Sequence, residues 1–137
     1  MKDDLIELLI EVNKFEKILS EQINIFKYVD KIYQHAIIHT IYEKARLKGF
    51  IAFYANTSDK QLAYLTMIAV HPSSHGEGIG SVLLLAVLEQ LKIKGYNKLG
   101  LEVLETNKHA IAFYESHGFY FVESRANQFI FMEKIVF

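Results

Sequence analysis

Ile68-Ala69-Val70-His71-Pro72-Ser73-Ser74-His75-Gly76-Glu77-Gly78-Ile79-Gly80-Ser81 is the stretch on which the fold turns. Its first residues close an apolar run, Leu62 to Val70, that reads as a strand. Pro72 stops the run, because its ring fixes φ and removes a backbone donor. Beyond the glycines, Leu84, Val87, Leu88 and Leu91 recur at helical spacing, and Gly95 stands where a helix C-cap belongs. The order is strand, glycine loop, helix. A helix N-terminus presents amides without intrahelical partners and the positive end of the dipole. Glycines let an anion come close to that backbone. The arrangement suits a diphosphate, and it also serves as a plain strand-to-helix turn.

Two common phosphate patterns fit poorly. A P-loop needs Gly-Lys-Ser/Thr, and no lysine stands between Gly80 and Ser81. A dinucleotide loop of the form Gly-x-Gly-x-x-Gly, counted from Gly78, would need glycine where Leu83 stands. His71 to Ser74 also separate the strand from the loop.

Outward from the loop, apolar residues at three- and four-residue spacing predict helices over about Asp4–Asn13 and Glu21–Gln34. Phe26, Val29 and Tyr33 form the expected inward stripe of the second. Residues 36–42 are ambiguous and suit a strand. Gly49–Tyr54 reads as a strand, joined through the turn Asn56–Lys60 to Leu62–Val70 as an antiparallel hairpin. Lys98–Leu104 is a strand, and strand-helix-strand from 62 to 104 predicts a right-handed crossover with parallel strands. Asn107 opens a helix that ends near His117 with Gly118 as cap. Two aromatic strands follow, about Phe119–Glu123 and Gln128–Val136.

Composition limits the function classes. With 137 residues, 51% of them apolar, and ten Phe and eight Tyr, the chain is expected to form one globular domain over residues 1–137. A net charge of −1 provides no field for nucleic acid or an anionic membrane. The absence of cysteine excludes disulfides, thiolate zinc sites and a cysteine nucleophile. Met1-Lys2-Asp3-Asp4 is acidic where a leader would be basic, and Leu5-Ile6-Glu7-Leu8-Leu9-Ile10 is too short to span a bilayer. A cytoplasmic protein is the expectation. His35 and His39 are four apart, but no third ligand is placed by the sequence, so no metal is expected.

At this point the residues carry a resemblance. Ile68-Ala69-Val70-His71-Pro72, His75-Gly76-Glu77-Gly78-Ile79-Gly80 and Leu83-Leu84 resemble the cofactor motif of the GNAT superfamily of N-acetyltransferases, Gln/Arg-x-x-Gly-x-Gly/Ala after a strand. Leu101-Glu102-Val103, Asn107, Ala110-Ile111, Phe113-Tyr114-Glu115 and Gly118-Phe119 resemble its second block at the usual distance. The likeness covers roughly residues 47 to 125. It implies an α/β fold with a mixed, mostly antiparallel sheet, helices on both faces and a splayed parallel strand pair.

The resemblance further implies acetyl-CoA as co-substrate. The backbone of Ile68, Ala69 and Val70 would hold the pantetheine, with the Ile68 N–H facing the thioester oxygen. Amides of Gly76, Glu77, Gly78, Ile79, Gly80 and Ser81 would hold the pyrophosphate. His75 departs from the family's Gln or Arg. Asn107 is a good helix N-cap in its own right, and by resemblance also touches the cofactor arm. Tyr114 suits a core aromatic, and by resemblance lies beside the sulfur, protonating the departing thiolate or positioning the thioester.

The base is left open. An amine attacks only when neutral, which at pH 7 costs about 4.6 kcal/mol for a lysine-like amine and about 1.4 kcal/mol for an α-amine. Several family members carry a glutamate on the strand before the loop, where this chain has Tyr64, a poor base, and Thr66 is no better. Glu102 is the best remaining carboxylate, similar in place to that of ribosomal-protein N-terminal acetyltransferases, and it also fits a solvated strand glutamate. The resemblance implies transfer of acetyl to a primary amine. The stretch Gly49–Asn56 is closer to acetyltransferase-like proteins of bacterial surface sugars, which favours an amino sugar, while a peptide N-terminus stays open. A non-catalytic acyl-CoA-binding module is the rival reading. The apolar end, Phe129 to Phe137, suits an interaction domain or the interface of a homodimer.

Overall fold

Residues 1–16 and 24–137 are described in the computed structural model. Helix α1 (Lys2–Glu16) carries Asp3 and Asp4 in its first turn, where carboxylates complement the dipole. Its buried Leu5, Leu8, Leu9 and Val12 recur at i, i+3, i+4 and i+7, one face of a helix. Helix α2 (Ile25–His35) is capped by Asn24, whose side-chain oxygen accepts from the amides of Phe26 at 2.9 Å and Lys27 at 3.3 Å. The part of the expected second helix from Glu21 to residue 23 lies outside the described residues.

The expected stripe of α2 is corrected. Val29 and Ile32 are buried, whereas Phe26 and Tyr33 are exposed. Ile25 and Tyr28 pack partly buried against the same cluster as Val29 and Ile32, together with Leu5, Leu8, Leu9 and Val12 of α1. The sequence offers two overlapping stripes that share Val29, and docking on α1 selects the aliphatic one.

Strands β1 (Ile37–Glu43) and β2 (Arg46–Tyr54) form an antiparallel hairpin in register Ile37↔Phe53 to Glu43↔Arg46. The ambiguous 36–42 segment is therefore strand. Its two-residue turn, Lys44-Ala45, has φ of 51° and 64° without a glycine. Strand β3 (Leu62–Val70), helix α3 (Ile79–Lys94), strand β4 (Lys98–Leu104), helix α4 (Lys108–Ser116) and strands β5 (Tyr120–Ser124) and β6 (Phe129–Ile135) complete the order. The six strands run β1-β2-β3-β4-β6-β5, with β3 and β4 parallel and β6 antiparallel to both β4 and β5. The fold is thus a mixed α/β sheet with one parallel pair. The parallel ladder runs from Leu62↔Lys98 to Leu65↔Leu101, while β3 continues to Val70 and β4 to Leu104.

The described chain gathers into two compact units, Met1–Tyr54 with Met67–Val87, and Ala55–Thr66 with Leu88–Phe137. In the first, α1, α2 and β2 enclose a core that includes Phe50, Ala52 and Ala69. In the second, Leu101 and Val103 point inward while Glu102 between them is exposed, the period-two pattern of a strand with one buried face. Buried Tyr96 ties the loop before β3 to the end of α3: its hydroxyl donates to Thr57 O at 3.1 Å and accepts from Thr57 N at 3.0 Å.

Candidate active site

The glycine loop lies in the first unit. His71 leaves β3 with its amide donating to Lys48 O at 2.7 Å. Its ring caps a single 3₁₀ turn, Pro72–Ser74, with Nδ1 accepting from the Ser73 amide at 3.1 Å. Gly76 and Gly78 then take φ of +85° and +78°, a region L side chains rarely enter, which explains the residue type at both. A Cβ built on either would meet no heavy atom within 4 Å, so the backbone there faces open space.

The hydrogen bonds of the loop leave donors over. Glu77 N donates to Ser74 O at 3.3 Å, and Val82 N closes the first helical bond to Gly78 O at 3.1 Å. Ile79, Gly80 and Ser81 open α3, so their amides lie too near its start to donate within the helix. The first turn of α3 carries no acidic residue, and its last turn carries Lys92 and Lys94. The positive end of this dipole is therefore unanswered by a carboxylate in its own first turn.

The loop is held by a hole in the sheet. A Cβ on Gly49 of β2 would lie 2.9 Å from Ile79 Cγ2 and 3.0 Å from Ala69 O. Only glycine leaves room for Ile79, whose side chain is buried beside Leu83. The first helical residue is thus seated on β2 and β3 by packing.

The other candidates lie in the second unit. Asn107 caps α4, its Oδ1 accepting from Ala110 N at 3.2 Å. Tyr114 is buried, with its ring edge-on to Phe113 at 5.5 Å and Phe119 at 5.6 Å. Burial pushes its phenol well above the usual tyrosine range. Glu102 is exposed on β4, and the Tyr64 hydroxyl donates to its Oε1 at 3.2 Å. Tyr64 pairs with Gly100 in the parallel register, which places it one side chain before Glu102 on the same face. Sequence reasoning found both residues but not this bond, because register is not written in either strand.

His35 and His39 do not share a helix face. His35 ends α2, whereas His39 lies on β1, its ring stacked on Phe53 at 5.8 Å. Among the described residues, no group of three or more His, Asp or Glu side chains is placed to hold a metal ion.

The sequence pattern of the acetyltransferase (GNAT) family matches residues 3–119. This chain belongs to the GNAT acetyltransferase family. Among GNAT relatives, the ribosomal protein bS18-alanine N-acetyltransferase of Escherichia coli strain K12 is 40% identical over 67 residues, 49% of this chain and 45% of that protein. The mycothiol acetyltransferase of Jonesia denitrificans is 32% identical over 92 residues, 66% of this chain and 29% of that protein. The match thus spans less than half the length of these relatives. The crystal structure of the PaiA N-acetyltransferase of Thermoplasma acidophilum in complex with coenzyme A superposes with a TM-score of 0.79 over 98% of this chain and 92% of that one, at 24% identity. At that identity the likeness is one of fold.

The loop has the features of an anion site. Two glycines in the left-handed region border open space, and unpaired amides head a helix with no acidic first turn.

Proposed function

We propose that this single domain is an N-acetyltransferase that moves the acetyl group of acetyl-CoA to a primary amine. The observation that carries this reading is the loop at Gly76 and Gly78, where left-handed backbone opens directly onto the free amides of α3. Amides of Gly76, Gly78, Ile79, Gly80 and Ser81 hold the diphosphate, with His75 at the loop's entrance, whereas the Glu77 amide, expected among them, donates to Ser74 O. The backbone of Ile68, Ala69 and Val70 holds the pantetheine, a role supported by their place at the end of β3 that leads into the loop. Asn107 adds a contact to the same arm from the head of α4.

In this reading the amine nitrogen attacks the thioester carbon, the new C–N bond forms and the C–S bond breaks. Glu102 accepts the proton the amine loses. Tyr114 gives its proton to the leaving thiolate; its phenol is neutral at pH 7, as an ordinary tyrosine is, and burial raises it further. The chain has no cysteine to carry an acyl intermediate, which favours direct attack within a ternary complex.

The acceptor we favour is an amino sugar or other small cationic amine. An open cleft of about 520 Å³ in the first unit is lined by Asp4, Glu7 and Glu11 of α1, by Arg46 and Leu47, and by His71 just before the loop. Its acidic wall suits a protonated amine. A second reading, acetylation of a protein N-terminal alanine, is supported by the 40% identity to the bS18 enzyme over 67 residues. The test is thiol release from acetyl-CoA with amino sugars, alanine-headed peptides and polyamines in parallel. Turnover on one class, reduced about 10²-fold or more in Glu102→Gln, is the expected result. Saturable coenzyme A binding without turnover on any amine would leave a binding module in place of an enzyme.

A further inference from the structure

The two nitrogens of the His71 ring have different duties. Nδ1 accepts from the Ser73 amide at 3.1 Å and lies 2.8 Å from Ser73 Oγ. A main-chain amide can only donate, so Nδ1 carries no proton in this bond, and the neutral ring keeps its one proton on Nε2. No described residue bonds that Nε2. The ring also lines the cleft of the first unit, with Asp4, Glu7 and Glu11 of α1 and with Arg46 at the start of β2. Since the Nδ1 edge is taken up by Ser73, the edge left for the cleft carries the Nε2–H. The three carboxylates recur at i, i+3 and i+7, so α1 sets them along one face. Asp4 already accepts from the Tyr42 hydroxyl at 2.7 Å. The cleft therefore offers acceptors from α1, and two groups that can only donate, the His71 Nε2–H and the Arg46 guanidinium.

We propose that His71 is the specificity residue of this cleft: its Nε2–H donates to an oxygen of the acceptor, so the amine taken there is hydroxylated, as an amino sugar is, and is not a bare polyamine. The proposal rests on the reading of the cleft as the acceptor site. A protonated polyamine donates at every nitrogen and accepts nowhere. It answers the carboxylates and leaves the Nε2–H and the guanidinium without a partner once water is displaced, at a cost in affinity. A hydroxyl both donates and accepts, so a ring that carries several answers both kinds of group. His71 also ties this selection to the donor loop. The same ring that faces the cleft with one nitrogen caps with the other the 3₁₀ turn Pro72–Ser74, which leads into Gly76 and Gly78. The two duties are separable by substitution. Asparagine is a preferred cap, and its Oδ1 takes the place of Nδ1, but it has no atom at the reach of Nε2.

The test compares D-glucosamine with cyclohexylamine, two six-membered rings with one amine each that differ in their oxygens. Isothermal titration into the protein saturated with coenzyme A should give glucosamine the lower Kd by about 10-fold or more. His71→Asn should remove most of that preference by raising the glucosamine Kd, with the cyclohexylamine Kd, the Tm and the coenzyme A affinity as in wild type. His71→Ala loses the cap as well, and its Tm should fall by about 3 °C. Thiol release from acetyl-CoA, run on the same samples, should show the His71→Asn effect in KM for glucosamine and not in kcat. Equal Kd values for the two amines in wild type overturn the proposal. So does a preference that survives in His71→Asn, or an absence of glucosamine binding. The acyl-transfer reading fails separately: a glucosamine preference that depends on His71 but comes with no turnover would sink that reading and leave this one standing.

Discussion

Replacing Gly78 by alanine separates two reasons for a glycine in the loop. Gly78 has φ of +78° and Gly95, after the last turn of α3, has φ of +86°. Alanine in this region costs about 1–2 kcal/mol wherever it occurs. Neither site adds a clash. A Cβ on Gly78 meets nothing within 4 Å, and one on Gly95 meets only Lys60 Cδ at 3.9 Å. Both variants should lose the same stability for the same backbone reason. With an unfolding entropy of about 2.1 cal/mol/K per residue, the chain of 137 residues has about 0.3 kcal/mol/K, so each alanine should lower Tm by about 3–7 °C. Only Gly78 borders the free amides of α3. If a diphosphate reaches them, the added methyl group holds it off and removes one or more hydrogen bonds to a charged group, each about 1.5–3 kcal/mol. Coenzyme A affinity should then fall about 10- to 100-fold in Gly78→Ala and stay unchanged in Gly95→Ala. Differential scanning fluorimetry gives the first quantity and isothermal titration with acetyl-CoA the second. Equal loss of Tm with wild-type affinity in both would mean that Gly78 serves the turn alone, and the phosphate reading of the loop would be lost.

Tyr114→Phe should lower kcat about 10²-fold while leaving coenzyme A affinity nearly unchanged, read from steady-state kinetics beside a titration. The same variant should change the alkaline stability profile. Burial raises the Tyr114 phenol in the fold above its unfolded value near 10, so its protonation stabilises the fold below that pH and the contribution fades as pH rises through and above it. Urea unfolding at about pH 7 and pH 11 should show a smaller alkaline loss in Tyr114→Phe than in wild type. At the β1–β2 turn, Ala45 has φ of 64°, and Ala45→Gly should raise stability by about 1 kcal/mol in the same denaturation assay.

Some of this architecture was legible because its signals are local. Gly95 and Gly118 end α3 and α4 with φ of +86° and +91°, and Tyr96 N to Leu91 O at 2.9 Å and Phe119 N to Tyr114 O at 3.1 Å complete both caps. Asn107 caps α4 as its residue type suggests. The parallel pair followed from a strand, a long helix and a strand in order. What failed depended on partners distant in sequence. The β1–β2 hairpin was missed because Lys44 and Ala45 carry none of the glycine or asparagine that marks such a turn. The inward face of α2 was misread because two stripes share Val29, and only α1 decides between them. The insertion of β6 between β4 and β5 defies the preference for sequential neighbours, and the bond from Tyr64 to Glu102 depends on a register that neither strand encodes.

The socket that Gly49 leaves for Ile79 has a consequence for how this protein can change. A methyl group at position 49 would sit 2.9 Å from Ile79 Cγ2 and 3.0 Å from a main-chain oxygen, so the start of α3 would have to lift by a few tenths of an ångström. On the proposed reading of the loop, donor affinity would be adjustable from Gly49, which is buried inside the sheet. Drift at that site would read in a mutational survey as loss of substrate grip with every ligand-facing residue intact.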